Sequence, residues 1–320
     1  MNTSYLPLVF ALVLLILTSF TPGIGYHQKS ADLGVTINTP AAVLPEISED
    51  KRGGDKILPD SYSPNKESAE EPSSEVLKNS SLFSSPPINT YPLRDWGVPN
   101  PEIDVAAVLI KDLESGYIFW SKESQRRWPI ASLTKLMTAT IVLEEMSASQ
   151  NNANNKTDKS TDDLLKMMLV ASDNEAANAL AEKYFNKDEF IRAMQRKAQE
   201  LKMTQTTFFD PSGLAVSNQS TPNDLVILVN YILETHPEIL KITAQKSYQG
   251  IQNTNLFAGR PDFIGGKTGF LDEAGGNLIS IFKYREGKSN FPLLVIILGS
   301  KDRFGDTQLL LDWVKKAYEF

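Results

Sequence analysis

The chain has 320 residues, 41% of them apolar and 22% charged, with 32 basic against 39 acidic side chains and a formal net charge of −7. That composition suits one sizeable domain or two small ones, and with no basic run interleaved with aromatics it argues against nucleic acid as a partner. The absence of cysteine rules out disulfides, thiolate metal sites and a cysteine nucleophile, and two histidines, His27 and His236, sit in no motif that would supply a Ser-His-Asp triad or a zinc site.

Leu6 to Phe20 is apolar apart from Thr18 and Ser19, and no charged side chain precedes Lys29. The stretch predicts export, with Gly23-Ile24-Gly25 as a small-x-small cleavage signal for a segment 1–25. Extended to Gly25 it is also long enough to cross a bilayer, so a cleaved leader and a retained membrane anchor both stay open. Residues 26–95 hold 8 of the 18 prolines, many serines and charges of both signs. Runs such as Glu67 to Glu75 bury too little apolar surface to offset chain entropy, which predicts a disordered, extended spacer.

The remaining stretch, 96–320, is of single-domain size. Val105–Ile110 and Tyr117–Trp120 read as strands joined by a turn at Glu114-Ser115-Gly116. A buried helix follows Ser132, with Leu133, Leu136, Met137, Ile141, Val142, Leu143 and Met146 at helical spacing. The polar patch Asn151 to Lys159 reads as a loop. Helix starts are expected at Ser160 with Asp163, at Asn186 with Glu189, and at Thr221-Pro222-Asn223-Asp224. His236, in Glu-Thr-His-Pro, reads as a helix end. Ile264–Phe270, Asn277–Tyr284 and Phe291–Gly299 then read as strands, before a last helix carrying Leu309, Leu310, Trp313, Val314 and Ala317. The order predicts an α/β fold of the α+β kind: a mainly antiparallel sheet drawn from both ends of the domain, flanked by helices, with an all-helical subdomain inserted.

Three short motifs carry the chemistry. Ser132 precedes Lys135 by three residues, so both share a helix face. A neutral lysine there can take the hydroxyl proton, while the first turn aims free N–H groups at a developing oxyanion. A Ser-x-x-Lys quartet turns up by chance about once in a chain of this length. Ser172-Asp173-Asn174 between helical runs and Lys267-Thr268-Gly269 on a strand raise its weight. Together, in this order, they form the signature of penicillin-recognising serine acyltransferases. Alone, the second reads as a helix-capping turn and the third as a strand end.

The surrounding residues narrow the match. Arg127 to Ala139, Asp210-Pro211-Ser212-Gly213-Leu214 with Ser220-Thr221, and Lys267 to Phe270 followed by Ala274-Gly275 closely resemble the D-alanyl-D-alanine carboxypeptidases. These are the low-molecular-mass penicillin-binding proteins of peptidase family S11, and the resemblance spans roughly 96–320. It implies a β-lactamase/transpeptidase-like fold and removal of the terminal D-alanine from peptidoglycan stem peptides. By the same resemblance Ser132 is the nucleophile, Lys135 its base and Ser172 a proton relay. Asn174 holds the substrate amide, and Lys267 and Thr268 bind the terminal carboxylate. Gly269 lets substrate lie along the strand edge, and the N–H groups of Ser132 and Phe270 form the oxyanion hole. No metal or organic cofactor is required, and β-lactam antibiotics are expected as covalent inhibitors. Asp173, Glu175, Arg126 and Arg127 read as structural or solvated.

The sequence departs from the family pattern in two ways. Ser172 lies only forty residues after Ser132, with the Asn-rich patch standing where relatives carry a strand and turn. The chain also ends soon after Trp313, without the second domain and C-terminal anchor of many relatives, a plan shared with endopeptidases that cut cross-links. A DD-endopeptidase therefore stays open beside the carboxypeptidase. A β-lactamase is disfavoured because only Asp210 is acidic in the stretch where a deacylating glutamate would stand. A wall-binding or penicillin-sensing domain with idle residues is the non-enzymatic alternative.

Overall fold

The computed structural model describes residues 92–150, 159–287 and 289–320. The expected leader, the spacer up to residue 91 and the polar patch at 151–158 lie outside the described residues. From its first described residues the chain forms β1 (Leu93–Arg94), β2 (Ala107–Asp112), β3 (Ile118–Lys122), β4 (Trp128–Pro129), a 3-10 turn at Ala131–Thr134 and helix α1 (Lys135–Gln150). Helices α2 (Lys159–Val170), α3 (Asn174–Tyr184) and α4 (Lys187–Glu200) follow. Next come β5 (Gln219–Ser220), α5 (Pro222–Thr235), α6 (Pro237–Thr243) and the short pair β6 (Ser247–Tyr248) and β7 (Ile251–Gln252). Strands β8 (Phe263–Leu271), β9 (Gly275–Glu286) and β10 (Ser289–Ser300), helix α7 (Arg303–Ala317) and β11 (Tyr318–Glu319) complete the order.

Five strands make one antiparallel sheet in the order β3-β2-β10-β9-β8, so both ends of the domain contribute to it, as the sequence predicts. The run Leu293 to Leu298 in β10 is apolar without a break because the sheet is covered on both faces. Its side chains alternate between two cores. Leu293, Val295 and Ile297 join Val108, Ile110, Leu278 and Phe282 under Leu310, Trp313 and Val314 of α7. Leu294, Ile296 and Leu298 join Ala107, Leu109, Ile279 and Ile281 under the helical layer, which offers Leu133, Met137, Leu225 and Val229. Each such aliphatic side chain contributes about 1.5–3 kcal/mol on burial.

Helix α1 runs through the middle of that layer and is buried on nearly all sides, from Leu136 and Met137 to Val142 and Met146. Its buried threonines are satisfied internally or by neighbours: Thr140 Oγ1 donates to Leu136 O at 2.9 Å and Thr138 Oγ1 to Pro211 O at 2.6 Å. The predicted starts at Asn186 and Thr221 hold, with side-chain caps to Glu189 N at 3.0 Å and Asp224 N at 3.1 Å and Pro222 opening α5. The start expected at Ser160 adjoins residues outside the described set; α2 is described from Lys159 and contains Ser160. Helix α3 is the run expected after Ser172-Asp173-Asn174, its buried face made of Ala176, Ala177, Leu180 and Ala181. One helix goes beyond the prediction. His236 does end α5, but Pro237 at once opens α6, so one signal marks both an end and a beginning.

The last residues of the composition-based spacer are already part of the fold. Leu93 and Arg94 pair with Glu319 and Tyr318. The Arg94 guanidinium stands 4.7 Å from the Trp313 ring and 5.2 Å from that of Tyr318, and donates to Val98 O at 2.8 Å.

Candidate active site

The 3-10 turn at Ala131–Thr134 brings Ser132 to the mouth of α1, half-buried, with Lys135 at the first helical position. Two glycines from distant segments grip this turn. A Cβ on Gly213, whose φ is +87°, would stand 2.0 Å from Ala131 O. One on Gly269 of β8 would stand 2.7 Å from Ile130 O and 3.2 Å from Ser132 N. The close approach the structure shows at Gly269 is to the backbone of the turn that carries Ser132. Ala131 (φ +49°) and Ser172 (φ +61°) both hold left-handed backbone without being glycine, placing strain on either side of the cleft.

Lys135 is fully buried. Its Nζ donates to Ser132 Oγ at 2.9 Å, to Asn174 Oδ1 at 2.7 Å and to Ser212 O at 2.5 Å, which uses all three of its hydrogens. Burial brings its pKa down to about 8, against the opposing pull of Asp210 and Asp173. Across the cleft, Lys267 is also buried, and its Nζ donates to Ser172 Oγ at 2.8 Å and to Thr268 O at 3.0 Å. Burial first, then the charges of Lys135 and Arg303, hold Lys267 well below the usual lysine range. The Thr268 hydroxyl pairs with that of Thr254 at 2.7 Å.

All eight residues singled out from sequence thus fall on three neighbouring walls. Ser132 and Lys135 lie on the turn and α1. Ser172 and Asn174 lie at the head of α3, where Asp173 caps the helix through Ala176 N at 2.9 Å. Lys267, Thr268, Gly269 and Phe270 lie on β8, an edge strand whose outer side faces the turn. Phe270 is 59% exposed. Glu175 is exposed, Arg126 stacks over Trp128 at 4.8 Å, and Arg127 donates to Thr207 Oγ1 at 2.9 Å, all structural or solvated positions as expected.

Sequence reasoning gave no role to three groups that shape this site. Asp210 spends its carboxylate inside its own loop, accepting from Ser212 N and Oγ at 2.7 Å, Gly213 N at 2.6 Å and Ala215 N at 2.6 Å. Burial would raise its pKa, but these hydrogen bonds outweigh that and hold it below the ordinary carboxylate value. The folded loop is what aims the Ser212 carbonyl at Lys135. Its turn-rich Asp-Pro-Ser-Gly was the available signal. Arg303, at the start of α7, donates to Gly269 O at 3.1 Å from behind β8, and burial lowers its pKa. No local pattern marks it. Thr254 likewise carries no motif. Among the described residues, no group of three or more metal-binding side chains converges.

What the geometry can do is acyl transfer. A serine hydroxyl sits on a buried amine of lowered pKa, and a second serine sits on a second buried lysine, with Arg303 behind the edge strand. Comparison with known proteins agrees. The family model described as D-alanyl-D-alanine carboxypeptidase matches residues 96–162 and 145–301. A D-alanyl-D-alanine endopeptidase of Haemophilus influenzae is 35% identical over 210 residues, 55% of this chain and 70% of the relative. Penicillin-binding protein D2 of Listeria monocytogenes, solved in ampicillin-bound and cefotaxime-bound forms, superposes with TM-scores of 0.59 and 0.58 at 30% identity, over 67% of this chain and 98% of that one. A D-alanyl-D-alanine carboxypeptidase of Mycobacterium tuberculosis superposes with a TM-score of 0.57 at 26% identity, over 70% and 96% of the two chains.

Proposed function

Because the chain belongs to the D-alanyl-D-alanine carboxypeptidase family, peptidase family S11, we propose that Ser132 is the nucleophile of a serine D-Ala-D-Ala carboxypeptidase acting on peptidoglycan stem peptides. The observation that carries the assignment is the 2.9 Å contact between Lys135 Nζ and Ser132 Oγ, with Lys267 facing it from the edge strand. Neutral Lys135 takes the hydroxyl proton as Ser132 Oγ attacks the carbonyl between the two D-alanines. The N–H groups of Ser132 and Phe270 receive the oxyanion, a contribution of about 10²–10³ in rate per donor. The C–N bond breaks as the proton held by Lys135 passes through Ser172 to the departing amine, which leaves Lys135 neutral again. Lys135 then takes a proton from the water that attacks the acyl ester and returns it to Ser132 Oγ as the ester C–O bond breaks. Lys267 and Thr268 hold the terminal carboxylate by charge-assisted bonds, which selects a free C-terminus. Asn174 fixes both Lys135 and the substrate amide.

The Haemophilus relative supports a second reading, a DD-endopeptidase that cleaves cross-links through the same acyl-enzyme. Incubation with a pentapeptide stem and with a cross-linked dimer, followed by mass analysis, separates the two by which substrate is cut. The proposal extends to β-lactams as covalent inhibitors, supported by the Listeria complexes, and to a location outside the cytoplasmic membrane, supported by the apolar run at residues 6–20. Labelling with a fluorescent penicillin should mark the peptide containing Ser132 and vanish in Ser132→Ala. A label on another serine would overturn the assignment.

A further inference from the structure

We propose that Thr254 is a positioning residue for the substrate's terminal carboxylate, acting through Thr268; the inference rests on the peptidase reading given above. The loop carrying it is held by two buried asparagines. Asn253 Nδ2 donates to Thr243 O at 2.9 Å and Gln245 O at 2.8 Å, while its Oδ1 accepts from Asn255 N at 2.8 Å. Asn255 Oδ1 in turn accepts from Phe257 N at 3.0 Å. Between them Thr254 is exposed and reaches both walls of the cleft. Its N–H donates to Val170 O at 3.1 Å, two residues before Ser172, and its Oγ1 lies 2.7 Å from Thr268 Oγ1 on β8.

A hydroxyl has a single proton, so only one member of the pair can donate within it. A carboxylate offers only acceptors. If Thr268 spent its proton on Thr254, it would turn a lone pair toward the incoming anion. Thr254 donating to Thr268 leaves the Thr268 proton for the substrate and polarises that hydroxyl further. Thr254 thereby sets the direction of a donor it does not replace, and its backbone bond to Val170 keeps that donor in register with Ser172.

The test compares the full chain with Thr254→Val, which keeps the shape but has no proton to give, and with Thr254→Ser, which keeps the hydroxyl. Each is assayed on a peptide ending in D-Ala-D-Ala acid and on the same peptide ending in a carboxamide, with melting temperatures recorded. The expected result is a KM for the acid raised about tenfold in Thr254→Val, with kcat and the carboxamide reaction unchanged and Thr254→Ser near wild type. Equal losses on both substrates, or no change on either, would overturn the proposal in favour of a structural role. Wild-type protein that cleaves the acid and the carboxamide with equal KM would instead overturn the carboxylate clamp itself, so the two failures are told apart.

Discussion

At the scale of single residues the site turns on two buried lysines with different surroundings. Lys135 has three acceptors and two aspartates in range, and its pKa settles at about 8; Lys267 has cations for neighbours and is pushed well below the lysine range. A base must be unprotonated to act. Below about pH 8 Lys135 carries its proton and cannot accept another, so the acylation rate should climb as pH rises toward that value and level off above it. Stopped-flow acylation by a chromogenic β-lactam from pH 6 to 9 measures the limb. Lys135→Ala should lower the rate about 10³-fold and lose the limb altogether. A limb surviving in that variant would assign it to another group. The identities of these residues were legible from sequence, because serine, lysine and Ser-Asp-Asn at short spacing are local patterns. The acceptor Ser212 O was not, since it lies 77 residues from Lys135 and contributes only a backbone carbonyl.

At the scale of elements β2, β3 and β10 were readable because each carries a run of aliphatic or aromatic residues ending in turn chemistry, and the sheet's two-sided burial makes the run in β10 continuous. Helix α6 escaped because it is only seven residues long and opens directly behind the His236 that ends α5. The loop from Asp210 to Ala215 is the element on which the site most depends without touching substrate in any assigned role. Gly213 there combines a φ of +87° with direct contact on Ala131 O. Gly213→Ala meets both a conformational and a steric penalty, and should cost at least about 3 kcal/mol and remove penicillin labelling. Urea unfolding with and without a labelling assay checks it. A variant that unfolds normally yet still labels would show that the turn at Ser132 can re-form without the grip.

On the scale of the whole molecule, the described fold closes on itself where its first and last strands meet. Arg94 joins them by lying over the rings of Trp313 and Tyr318 and donating to Val98 O. Composition alone placed this arginine in the spacer, because a two-residue strand leaves no periodicity to read. Arg94→Ala should lower stability by about 1–2 kcal/mol while leaving kcat on a pentapeptide unchanged, since the cluster faces away from the cleft. Thermal unfolding beside a D-alanine release assay measures both. A fall in kcat without a fall in melting temperature would contradict that separation.

The double grip on the turn at Ala131 has a consequence in time. Its two jaws come from the middle and the later part of the domain, so the reactive hydroxyl reaches its working geometry only after two long-range closures, Gly213 onto Ala131 and Gly269 onto Ile130. During refolding, helical signal and hydrophobic burial can both be recovered while the protein is still inert toward penicillin. Penicillin labelling in a refolding time course should therefore return after the helical signal, and should be lost when either glycine contact is broken.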